Sequence, residues 1–234
     1  MAAVLRALVF DFNGVLVHDE PLHLELFQRV LGEEGVALTA ADYYERYLGF
    51  DDRGCFAAVL RDAGRTVDPG GIARLVARKA SYYQEAIRRS GYPFFPGAAD
   101  LVRAAARELP LAVVSGALRH EVEGALRQER LEGAFRRLVT AEDVERGKPD
   151  PEGYLLAVTA FNSEPPLPQR LIHTHECAAI EDSPAGIEAA AAAGLRTIGV
   201  AQTYSEEALQ GAERVIASLE GMTVERLQEL FKEL

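Results

Sequence analysis

The chain has 234 residues, with 36 acidic against 25 basic side chains and a net charge of −11. That balance excludes a nucleic-acid backbone binder, whose affinity rests on clustered Lys and Arg. Two distant cysteines, Cys55 and Cys177, make neither a disulfide framework nor a zinc spacing, and no apolar run reaches the roughly 18 to 20 residues of a spanning helix, so a cytoplasmic protein with no membrane partner is expected.

Met1 to Phe12 is apolar but lacks a basic n-region and a small-residue cleavage site, which predicts a buried strand over Leu5 to Phe12 rather than a leader. About eighty residues that read as helix throughout follow, with a capping box at Thr39 to Asp42 and a break at Asp68-Pro69-Gly70-Gly71. A crossover between parallel strands needs only a dozen or so residues. The excess predicts an inserted all-helical subdomain over 18–91, within a core formed by 1–17 and 92–234. Its hinges are expected near Val17 to Asp19 and Gly91 to Pro96. This insert carries 12 acids against 10 bases, so it is the part an anionic substrate approaches most easily.

Beyond the insert, short runs rich in Val, Ile and Leu recur at Leu111 to Val114, Arg137 to Thr140, Ala178 to Ile180, Arg196 to Val200 and Arg214 to Ile216. Each reads as a strand followed by a helix. The pattern predicts an α/β, Rossmann-like parallel sheet flanked by helices on both faces. Asp150 before Pro151 and Ser183 before Pro184 read as N-cap then N1, and Gly194 as the glycine that closes the helix from Pro184 to Ala193. There are no repeats and no low-complexity tracts.

In open parallel sheets, ligands bind beyond the carboxyl ends of the strands, where the strand order reverses. At those ends stand Asp11 and Asn13, then Ser115, then Glu181 and Asp182, with Lys148 in a loop just before Asp150. Each has a plain structural reading by itself: Asp-Phe-Asn-Gly as a turn, Ser115-Gly116 as a turn, Lys148 as a surface charge. Carboxylates, a hydroxyl and a lysine gathered at one sheet edge are costly to hold unless they share a cation and an anion.

Asp11-Phe12-Asn13-Gly14-Val15-Leu16-Val17, Ser115-Gly116, Lys148-Pro149 and Ile180-Glu181-Asp182-Ser183-Pro184-Ala185-Gly186-Ile187 resemble, in order, the four motifs of the haloacid dehalogenase superfamily. The insert resembles the helical cap of the subgroup that contains β-phosphoglucomutase and phosphoglycolate phosphatase, and His18-Asp19-Glu20-Pro21-Leu22-His23 is similar to the segment entering that cap. The resemblance implies a Mg²⁺-dependent phosphatase of a small phosphorylated metabolite. Asp11 is then the nucleophile that becomes an aspartyl phosphate. Mg²⁺ would lie among Asp11, the Asn13 carbonyl and Asp182, with Glu181 ligating directly or orienting a bound water. Ser115 and Gly116 would contact the phosphate, and Lys148 would neutralise its charge.

Asn13 departs from the pattern, because phosphatases and mutases of the superfamily carry a second Asp there as general acid and base. A carboxamide exchanges no proton near neutral pH, whereas its backbone carbonyl still binds metal. Slow turnover is therefore expected. The asparagine is either native, with His18, Glu20 or His23 supplying the proton, or a replacement of Asp, or a site that deamidates to an acid. The cap is expected to select substrate, with His23, Arg46, Arg53 and Lys79 as candidate contacts. Arg53 lies in the loop Leu48 to Arg53, and the other three read as solvated helix faces. Tyr82, Tyr83 and Tyr92 read as packing or hinge residues, and His173-Thr174-His175-Glu176 as an exposed loop without a third metal ligand. Two other readings remain open: a 2-haloacid dehalogenase-type hydrolase, in which a halide leaves without a proton, and a non-catalytic phosphometabolite-binding module. A monomer or homodimer is compatible with the sequence.

Overall fold

The computed structural model describes residues 4–66 and 68–234. The leader-or-strand reading of Met1 to Ala3 lies outside the described residues. A six-stranded parallel sheet forms from β1 (Ala7–Phe10), β2 (Leu111–Val114), β3 (Arg137–Val139), β4 (Cys177–Glu181), β5 (Arg196–Val200) and β6 (Arg214–Ile216), in the order β3-β2-β1-β4-β5-β6. Every predicted run is a strand. The first is shorter than read, because Leu5 and Phe12 are buried but stand beyond the ladder.

Two elements differ from expectation. No helix follows β5: Ala208, Leu209 and Ala212 donate to carbonyls three residues back, at Ser205, Glu206 and Leu209, so the segment coils as successive turns before β6. The helix after Lys148 starts at Glu152, one residue later than read. Pro151 takes the N-cap place read for Asp150, whose Oδ1 accepts the Glu152 amide at 3.0 Å from one residue further back.

Alternation along the strands divides the core in two. Leu8, Phe10, Leu111, Val113, Ala178 and Ile180 face one layer with α5 (Ala98–Ala105), α6 (Arg119–Gln128) and α9 (Val224–Glu233). Ala7, Val9, Ala112, Cys177 and Ala179 face the other, against α7 (Glu152–Ser163) and the alanine-rich α8 (Pro184–Ala192). Small residues on both surfaces of that second layer let helix and sheet approach closely. Full burial of each Phe or Leu contributes about 1.5–3 kcal/mol.

The chain divides into two compact units, one of residues up to His18 together with Tyr92–Leu234, the other Asp19–Gly91. The second unit is helical: α1 (Glu20–Glu33), α2 (Ala40–Asp42) running into a π-helical turn at Tyr43–Tyr47, α3 (Asp52–Asp62) and α4 (Pro69–Ser90). Its own core holds Phe27, Leu31, Tyr43, Phe56, Val59 and Leu75. Thr39 caps α2 as read, accepting the Asp42 amide at 3.0 Å. The break at Asp68 is also a start, because the Asp68 carboxylate accepts the Gly71 amide at 2.6 Å and Pro69 opens α4. Among the described residues no helix is long and apolar enough to cross a membrane.

Candidate active site

β1 lies between β2 and β4, so the chain leaves it in one direction and returns on the other side. The crevice of the fold therefore opens at the carboxyl ends of these strands. The Asp11 amide donates to the Ile180 carbonyl at 3.0 Å, which carries the β1–β4 pairing past Phe10 and sets Asp11 beside Glu181. Asp11, Glu181 and Asp182 are all buried, and one carboxylate oxygen from each falls within a 4.8 Å cluster, the metal-ligand geometry found among the described residues. Lys148 Nζ donates to Asp11 Oδ1 and to Glu181 Oε1, each at 2.5 Å. Ser115, buried at the end of β2, is fixed by a tight turn in which its Oγ accepts the Ala117 amide at 3.0 Å. Gly116 opens onto free space, and Asn13 is half-buried and bridges to Val17.

Crowded acids in a dry crevice resist ionisation. Burial pushes the Asp11 carboxyl up to about 7; Lys148 opposes this and Glu181 adds to it. Burial raises Asp182 as well, reinforced by Asp11 and Glu181. Lys148 is raised too, because burial disfavours its charge but Asp11 and Glu181 outweigh that and hold it protonated. Three carboxylates facing one ammonium leave an anionic oxygen cage, the donor set that suits a hard divalent cation.

The motif loop after β1 is closely packed. Gly14 has φ +80°, and a Cβ there would stand 1.9 Å from Asp182 Oδ2 and 2.7 Å from Thr203 Oγ1. Gln202 Nε2 clamps the same loop by donating to the Gly14 and Val15 carbonyls at 2.9 and 3.4 Å.

The haloacid dehalogenase-like hydrolase family model matches residues 5–194. The chain belongs to this family. It is 31% identical over 222 residues to the validoxylamine A 7′-phosphate phosphatase of Streptomyces hygroscopicus subsp. limoneus, covering 92% of this chain and 94% of that one. It is 29% identical to a phosphorylated carbohydrates phosphatase of Thermotoga maritima, covering 86% and 88%. The crystal structure of CbbY from Rhodobacter sphaeroides in complex with phosphate is similar at TM-score 0.79 and 26% identity, over 95% of this chain and 99% of that one. The α/β fold with its parallel sheet is thus that of haloacid dehalogenase-like phosphatases, and this chain is a hydrolase of that kind.

Two groups that brace the hydrolase's carboxylates, and a third that holds the loop after β1, escaped the sequence reading. Tyr154 donates its hydroxyl to Glu181 Oε1, Thr203 hydrogen-bonds Asp182, and Gln202 holds the Gly14 loop. For Tyr154 a signal exists: it stands six residues after Lys148, a lone hydroxyl on the apolar face of α7. Thr203 and Gln202 lie in the turns after β5, where nothing in the sequence marks them.

In the helical unit the candidate contacts take different places. Lys79, read as a solvated face, is 1% exposed: its Nζ bonds Asp52 Oδ1 at 2.5 Å and His23 Nδ1 at 2.7 Å and lies 4.2 Å from the Phe27 ring centroid. Burial of a lysine demands such partners. His23 also approaches Asp19 at 3.3 Å and stacks on Tyr83. Arg46 is tied to Asp62. Arg53 is exposed, in the first turn of α3 rather than in a loop, because the Asp51 carboxylate caps that helix by accepting the Gly54 amide at 2.7 Å. Tyr83 is buried. Glu176 of the His173 segment is spent on Arg170, while the two histidine rings stack 5.4 Å apart.

Proposed function

We propose that this hydrolase is a Mg²⁺-dependent phosphatase of small phosphorylated metabolites, of the sugar-phosphate kind, in which Asp11 attacks phosphorus and is transiently phosphorylated. The observation that carries the reading is the buried cluster of Asp11, Glu181 and Asp182 bridged by Lys148. The Streptomyces and Thermotoga relatives, both phosphatases of phosphorylated carbohydrate-like compounds, support the substrate class. Asp11, Asp182 and the Asn13 carbonyl would hold the cation, with Glu181 ligating directly or orienting a bound water. A bound Mg²⁺ supplies charge neutralisation at the phosphoryl oxygens and favours the ionised form of Asp11.

This chain's own groups do the rest. Asp11, ionised, is the nucleophile, and its approach is governed by the Lys148 ammonium, which also pairs with phosphoryl oxygen when substrate arrives. Ser115 donates its hydroxyl to a second phosphoryl oxygen, and Gly116 leaves room for it. His23 and Arg53 are proposed as substrate contacts of the helical unit. Asn13 puts a carboxamide, which exchanges no proton near neutral pH, where the superfamily places its general acid, so good leaving groups are favoured. Buried unpaired cysteines suit a reducing, cytoplasmic setting. A carbon-attacking dehalogenase, which needs no cation, accounts poorly for Glu181 and Asp182 beside Asp11.

The test is a screen of phosphorylated metabolites and p-nitrophenyl phosphate with Mg²⁺, run on the parent protein, Asp11→Asn and Asn13→Asp. Asp11→Asn is expected to abolish turnover, and Asn13→Asp to raise it by about 10²–10⁴-fold, the usual contribution of a general acid. Undiminished activity in Asp11→Asn sinks the reading.

A further inference from the structure

Helix α7 begins four residues past Lys148 and buries Gly153, Tyr154, Ala157, Val158 and Phe161. Within that apolar face the Tyr154 side chain is wholly buried, and a hydroxyl taken out of water is costly unless bonded. Its O–H donates to Glu181 Oε1, the oxygen that Lys148 Nζ also reaches at 2.5 Å. Glu181 is itself 0% exposed. Its carboxylate lies against Gly186, where a Cβ would stand 2.0 Å from Oε2 and 2.1 Å from Cδ, and the Ser183 hydroxyl is 3.4 Å from Oε2. A phenol and an ammonium on one oxygen and a glycine against the carboxylate leave Glu181 a single place to be.

We infer that Tyr154 is a positioning residue of the metal site: through Glu181 it sets both the carboxylate beside Asp11 and Asp182 and the share of the Lys148 ammonium that reaches Asp11. Lys148 Nζ is divided between Asp11 Oδ1 and Glu181 Oε1 at equal distances. When the phenol stops donating, Glu181 keeps the ammonium as its remaining strong donor and draws it away from Asp11. Asp11 and Glu181 then no longer present their oxygens in the arrangement that completes the cation cage. The inference rests on the Mg²⁺ reading above, and it adds a residue that touches neither substrate nor metal.

The experiment is calorimetric titration of Mg²⁺ into the full chain as parent, Tyr154→Phe, Glu181→Gln and the double variant, each checked by thermal melting without metal. Phenylalanine fills the same volume, so the apolar packing of α7 is kept. Tyr154→Phe is expected to weaken Mg²⁺ binding about 10–100-fold, the usual effect of removing a group that orients a ligand. In the Glu181→Gln background the same change should add less than about twofold, because the two groups act as one unit. At saturating Mg²⁺, kcat for p-nitrophenyl phosphate should fall while KM stays near the parent value. Mg²⁺ affinity of Tyr154→Phe within about twofold of the parent overturns the inference, and so does an equal loss in both backgrounds, which would mean the ring acts by packing. A parent that binds no Mg²⁺ overturns the metal reading as well; a parent that binds and a Tyr154→Phe that binds equally overturns the role of Tyr154 alone. Gly186→Ala, which pushes a methyl into the Glu181 carboxylate, should weaken Mg²⁺ in the same direction.

Discussion

Replacing Lys148 by methionine tests the electrostatics of the site most directly. The methionine keeps most of the stem and removes the ammonium that now touches Asp11 and Glu181. Breaking one member from a buried charge cluster typically costs about 3–5 kcal/mol. Part of that cost depends on pH. With Lys148 present, Asp11 titrates near 7. Without it the carboxyl rises further and stays protonated at pH 8, one unit above the parent midpoint, which is worth about 1.4 kcal/mol. At pH 6 Asp11 is protonated in both proteins and this contribution vanishes. The destabilisation of metal-free Lys148→Met should therefore be larger at pH 8 than at pH 6 by about 1.4 kcal/mol, or roughly 3–6 °C in Tm for a chain of this size. The assay is thermal melting at both pH values with chelator and again with Mg²⁺, which should recover stability by replacing the lost positive charge. Turnover should not recover, and a fall in kcat of about 10²–10³ is expected, as for other groups that stabilise developing charge. An equal loss of stability at both pH values, or activity within threefold of the parent, refutes this account of the cluster.

Burial of Asp11 also governs the metal. A raised carboxyl contributes stability while protonated, fully present below its unfolded value near 4 and lost as pH rises through about 7. Metal-free protein should accordingly lose stability across that window, and Mg²⁺ affinity, measured by titration calorimetry at pH 6, 7 and 8, should rise with pH as the competing proton leaves. Gly14→Ala should melt earlier by more than about 1 kcal/mol, since alanine at positive φ is strained and its methyl meets Asp182 Oδ2; Mg²⁺ binding should weaken with it. Lys79→Met tests the helical unit: it strips the partner from His23 and Asp52, and denaturant unfolding should show a loss of about 1–3 kcal/mol if the buried network braces that unit.

The site-bearing strands β1, β2 and β4 were legible because they are buried throughout, so each reads as an apolar run and its end is marked by the first polar residue. That rule located Asp11, Ser115, Glu181 and Asp182 without a structure. It worked less well where packing rather than pattern chooses the conformation. The segment after β5 carries helix-forming residues yet coils into turns, and Lys79 has the sequence context of a surface lysine yet is buried by Phe27, His23 and Asp52.

From the sequence alone came the α/β class, the helical insert with its edges near His18 and Gly91, the acids at the strand ends, and the asparagine at position 13. These depend on local order: period, caps and the residue that follows each strand. Tertiary structure alone decided which acid touches which cation, that Tyr154 and Lys148 share one oxygen of Glu181, that Gly186 must lack a side chain, and that Asp11 is pushed toward neutrality. The hydrogen bonds among them join residues 27 to 137 positions apart, and no local signal in a sequence records a distance that folding creates.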